Sequence, residues 1–200
     1  MSRVLIMTLL AATLTALLSG CENHSSNEWE RLVCEVESIN GGQPLISAYI
    51  NLGADALDPA DDSYPIDWVP VVFRARPYNS TIVLPEDGPH SWFHVTSYDL
   101  TWHPGPSCPP EVVEGLAEYN VVDGPCEAIV PVHDMGQVSI LIADRTMKEQ
   151  PWFQALNTQD GHSYNAACEL TFRGHESGNS QVVTINSGFM VTFWGAIMEN

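Results

Sequence analysis

From residue 32 onward, apolar and polar positions alternate in short runs separated by turn residues. Leu32-Val33-Cys34-Glu35-Val36-Glu37-Ser38-Ile39 alternates after Val33 and stops at Asn40-Gly41-Gly42, the pattern of a half-buried strand closed by a turn. Leu45–Leu52 is a short apolar run, and Trp68–Ala75 is apolar and aromatic with Pro70 inside it. A proline gives no N–H to a ladder, so that stretch is expected at a sheet edge or a bulge. Ser91–Trp102 is dense in aromatic and β-branched residues, and Ile129–Val132 and Val138–Ala143 follow, separated by Asp134 and Gly136. Tyr164–Arg173 and Gln181–Trp194 close the chain, with a hairpin-like turn at Gly174–Asn179 between them. Only two stretches have helical character: Pro110–Glu118, which holds Gly115, and Arg145–Leu156, which is broken at Pro151. No internal repeat is visible. The pattern predicts an all-β fold, an antiparallel two-sheet immunoglobulin-like sandwich with long loops. It forms a single β-sandwich domain over 31–200.

The first residues follow another rule. MSRVLIMTLLAATLTALLSGC carries Arg3, then a charge-free run from Val4 to Leu18, then small residues. That run is shorter than the ~20 residues a membrane-spanning helix needs, and the order of charge, apolar core and small residues is a secretory leader. Leu18-Ser19-Gly20-Cys21 resembles the lipobox of bacterial lipoproteins, with leucine, two small residues and then the obligatory cysteine. The resemblance implies cleavage after residue 20, a diacylglyceryl thioether on Cys21 and acylation of the new amine. Several acyl chains give a stable anchor where one does not. The residue after Cys21 is Glu22 and not the Asp that retains such proteins at the inner membrane. The expected location is therefore the outer membrane of the cell envelope. Residues 1–20 read as the leader and the polar stretch 21–30 as a lipid-anchored tether. The mature domain is weakly similar to small β-sandwich envelope lipoproteins of unknown function, through Tyr98–Thr101 and Phe172-Arg173-Gly174.

Charge narrows the partners. The chain has 25 acidic against 7 basic side chains, a formal charge of −18. Losing Arg3 with the leader leaves 6 − 25 = −19. Such a surface repels phosphate, which excludes nucleic acid as a partner.

Export also bears on the cysteines. Apart from Cys21, the chain has Cys34, Cys108, Cys126 and Cys168, and an oxidising compartment favours two disulfides. None is spaced C-x-x-C, so redox, zinc-ribbon and c-type haem signatures are missing. Cys108 and Cys126 flank a proline-rich, loop-like insert and are expected to pair. That leaves Cys34 with Cys168.

Candidate chemistry is sparse. Asp55, Asp58, Asp61 and Asp62, with Asp67 beyond them, form a carboxylate-rich stretch of the kind that suits Ca²⁺, although the EF-hand order is absent. His90 and His94 would stand about 13 Å apart in a strand, too far to share an ion, so a histidine metal site needs residues from different strands. No G-x-S-x-G, S-x-x-K, G-x-x-x-x-G-K-[ST] or G-x-G-x-x-G occurs. Of the six tryptophans, Trp68, Trp92 and Trp194 are expected in the core. Trp102 and Trp152, at strand or loop ends, are the candidates for exposed binding contacts.

The expected function is non-catalytic, with no cofactor: a lipid-anchored interaction or scaffold module holding another envelope protein through its loops or an edge strand. A Ca²⁺-dependent or carbohydrate-binding lipoprotein is the alternative. An envelope hydrolase is a third reading.

Overall fold

The structure, a computed structural model, describes residues 31–52, 63–81, 83–84, 88, 91–154, 156 and 163–198. The expected leader and tether (residues 1–30, with Cys21), and Asp55, Asp58, Asp61 and Asp62, lie outside the described residues. Leu32–Asn200 forms one compact unit. Its strands are β1 (Leu32–Ile39), β2 (Leu45–Leu52), β3 (Asp67–Pro77), β4 (Trp92–Pro104), β5 (Val121–Pro131), β6 (Met135–Ala143), β7 (Ser163–Glu176) and β8 (Val183–Met198). They build two packed sheets, a three-stranded one ordered β1-β3-β6 and a five-stranded one ordered β2-β8-β7-β4-β5.

The all-β, two-sheet expectation holds. One pairing departs from it, because β2 runs parallel to β8 while the other ladders are antiparallel. The chain leaves β1 in the small sheet through a tight turn at Asn40–Gly42 and enters the edge of the large sheet as β2. Asn40, Gly41 and Gly42 all have positive φ, at 50°, 62° and 80°, a run that two glycines make accessible.

Alternation places the core between the sheets. Val69, Val71, Phe73 and Ala75 of β3 face Leu170 and Phe172 of β7, all fully buried. The rings of Phe73 and Phe172 meet edge-to-face at 5.0 Å between centroids, a favoured aromatic geometry. Pro70 sits in the central strand of the small sheet, yet the β1 ladder ends at Ile39↔Val71 and Pro70 pairs only with Ser139 of β6. On the β1 side it has no strand neighbour to whom an N–H would be owed, so it is tolerated there.

The helical stretches are short. They are α1 (Pro110–Ala117), α2 (Arg145–Lys148) and α3 (Pro151–Gln154). Asp144 caps α2, its carboxylate accepting from the Met147 N–H at 2.8 Å. A Cβ on Gly115 would lie 2.2 Å from Trp152 Nε1, so glycine is what lets α1 and α3 pack. Between Cys108 and Cys126, the helical character expected over Pro110–Glu118 is present as α1, and the loop expected beyond it is the first half of β5.

The expected disulfides are corrected, since Cys34, Cys108, Cys126 and Cys168 are all free thiols. The pairing register explains why. Cys108 lies past the Pro104 end of β4, with its thiol on the Asn165 carbonyl at 3.4 Å. Cys126 lies on β5 opposite Thr96, between Val95↔Ala128 and Ser97↔Pro125. Eight strand positions at ~3.3 Å separate those levels, roughly 26 Å, against a Cα limit of about 7 Å for a bridge. Cys34 pairs with Ala75, which bridges to Val132 near the Ser91 end of β4, whereas Cys168 pairs with Trp102 toward its far end.

Candidate functional site

The tryptophans are reversed relative to expectation. Trp102 is buried in the core, its ring 5.5 Å from that of Phe193. Trp152 is half-buried between Tyr119 and Phe153. Trp68, Trp92 and Trp194 are instead 56%, 39% and 41% exposed. The cause in β4 is a bulge. Phe93 and Val95 point inward, the register shifts between Val95 and Ser97, and Tyr98, Leu100 and Trp102 then point inward. One extra residue inverts parity, so Trp92 faces out and Trp102 faces in although both are even-numbered. Trp68 and Trp194 each follow or precede a fully buried neighbour, Val69 and Phe193, and so face outward by strand alternation.

The outer face of the five-stranded sheet carries most of the polar chemistry. His94 on β4 stands opposite His175 on β7, ring centroids 5.3 Å apart and edge-to-face. Glu127 Oε1 lies 3.5 Å from His94 Nε2. Beside them His94, Thr96, Pro125, Cys126 and Glu127 line an open hollow of about 480 Å³. Sequence could not place these histidines together, since they are far apart in the chain and join only by register. Even so, among the described residues no three His, Cys, Asp or Glu side chains converge as a metal site would require. Further along the face, Arg173 donates to both oxygens of Asp99, and His103 Nε2 lies 2.7 Å from Glu169 Oε2.

Five of the described cations sit in ion pairs. Arg74 pairs with Glu37, Arg76 with Glu35, Arg145 with Glu149, Lys148 with Asp67 and Arg173 with Asp99. The excess carboxylates therefore set the sign of the surface.

Among the described residues, burial raises the pKa of all four thiols. Burial pushes the Cys34 and Cys168 thiols up to about 12 and Cys126 up to about 11, the opposite of what a reactive thiolate needs. Ser47 donates to Asp67 Oδ2 at 2.6 Å, and Lys148 Nζ lies 2.8 Å from the same oxygen. Ser47 and Lys148 are both wholly buried, so no substrate reaches them.

One group of large apolar side chains on the outer face lies at the β2–β8 edge. Ile46 of β2 is the register partner of Thr192 on β8, which Met190 and Trp194 flank on the same face. Ile46, Met190 and Trp194 are 61%, 47% and 41% exposed. Among the described residues no helix is long and apolar enough to cross a membrane. No protein-family model matches the chain, and no curated protein matches it.

Proposed function

We propose that the chain is a lipid-anchored, non-catalytic interaction module of the cell envelope. Cys21 holds it at the outer membrane, and another envelope protein docks on the outer face of the five-stranded sheet. The observation that carries this reading is the exposed patch of Ile46, Met190 and Trp194 on adjacent strands. Clustered apolar side chains on a sheet face are a mark of docking, and aromatic residues are enriched in such contacts. The paired cations and the unactivated thiols favour binding over catalysis. The reading takes the two sheets as an immunoglobulin-like scaffold, supported by the five antiparallel ladders among the described strands.

The test has two arms. Cys21→Ser moves the protein from the membrane fraction to the soluble one. Cross-linking of the native envelope gives a stoichiometric adduct that Ile46→Lys with Trp194→Ser removes, while the melting curve stays cooperative. A membrane-bound Cys21→Ser protein, or an adduct indifferent to the patch, overturns the proposal.

A further inference from the structure

Among the described residues, β8 has a second strand neighbour along only half of its length. The β2 ladder starts at Leu45↔Val191 and continues to Leu52↔Met198. From Val183 to Met190, β8 pairs with β7 alone. Every second residue there turns its N–H and C=O away from β7. Among the described residues no backbone hydrogen bond joins that edge to another segment. An uncovered edge of this kind is a template for another strand.

The edge is also shaped for an occupant. Between it and β1 lies a cleft of about 330 Å³, lined by Val36, Glu37, Gln43, Ser187, Phe189 and Met190 among others. Pro44 and the Asn40–Gly42 turn close one end, where β2 takes over the place beside β8. Val36 and Phe189 are half-buried against the core, so they offer apolar contact to inward-pointing side chains. The open stretch accepts about eight residues at ~3.3 Å each.

We infer that this half-edge binds an extended, cationic segment of another polypeptide by strand addition, its alternate apolar side chains facing Val36 and Phe189. The inference rests on the docking reading above and gives it a partner chemistry. Charge selects the partner. The chain carries 25 acids against 7 bases, and its Arg74, Arg76, Arg145, Lys148 and Arg173 are spent on internal ion pairs. Main-chain bonds would supply affinity and the alternating side chains specificity, with the acidic surface favouring a basic strand over an acidic one.

The test uses the full chain and a blocked peptide of alternating lysine and valine, with glutamate replacing lysine as control. The lysine peptide binds saturably and slows amide exchange across Val183–Met190. It binds roughly tenfold or more tighter than the glutamate peptide. Met190→Arg weakens it by a similar factor, as does Gln43→Arg, an exposed substitution that serves if Met190→Arg misfolds. No protection at Val183–Met190, equal binding of the two peptides, or indifference to both variants overturns the inference. Protection that appears without peptide and grows with protein concentration overturns it in favour of self-pairing. If the lysine peptide fails while the patch-dependent envelope adduct persists, the docking reading stands and strand addition falls.

Discussion

Lys148 and Asp67 form an ion pair at 2.8 Å in which the lysine side chain is entirely shielded from water and the aspartate is 11% exposed. The pair ties α2 to the start of β3, and Ser47 adds β2 by donating to the same carboxylate oxygen. One buried contact thus joins a helix, the small sheet and the edge of the large sheet. Burial lowers the Lys148 pKa, and Asp67 opposes that shift.

Removing one partner should be costly. Lys148→Ala leaves the Asp67 charge nearly buried and unpaired, for which about 3–5 kcal/mol is typical. Replacing both, with Lys148→Met and Asp67→Leu, should cost less than Lys148→Ala alone. Urea denaturation of the three proteins checks this. A double variant less stable than the single would contradict it.

Asp99 sets an acid limit. Hydrogen bonds from Arg173 and from the Asp123 N–H hold its carboxyl below the usual range. A carboxylate with a depressed folded pKa stabilises fully above its unfolded value, about 3.9, and loses that contribution as pH falls through the folded value. The melting temperatures of the parent and Asp99→Asn should differ near neutrality and converge below about pH 4. A gap constant with pH would remove Asp99 from the account.

The thiols should stay reduced and slow. With Cys34 and Cys168 pushed up to about 12 and Cys126 up to about 11 by burial, native labelling by iodoacetamide should reach Cys108 first. Cys34 and Cys168 should react only on unfolding. A non-reducing peptide map should show neither Cys108–Cys126 nor Cys34–Cys168; finding either would refute the register described for β4, β5 and β7.

Gly115 can be tested by adding one carbon. Its Cβ would stand 2.2 Å from Trp152 Nε1, so Gly115→Ala should destabilise by about 1–3 kcal/mol through overpacking. In the Trp152→Ala background the same substitution should be close to neutral. A Gly115→Ala penalty that persists without the indole would mean that something else limits the helix.

Much of the fold was legible from local pattern. Leu32–Ile39 and Val138–Ala143 alternate or run apolar as strands do, and Pro151 breaks the helical stretch where α2 and α3 separate. What the pattern could not carry was non-local. The parallel placement of β2 beside β8 depends on residues far apart in the chain. The bulge after Val95 exchanged the roles of Trp92 and Trp102. Lys148 reads as a surface residue, and only the partner Asp67 makes its burial tolerable. The pairing of His94 with His175, and the open half of β8, exist only once register is set.

The central claim is that the outer face beside β8 receives another envelope protein. A photo-cross-linking residue at Met190 in the native envelope tests it most directly, with one at Gln137, exposed on the small sheet, as the control. The account predicts one stoichiometric adduct from Met190 and none from Gln137. Equal adducts from the two positions, or none from Met190, would contradict it.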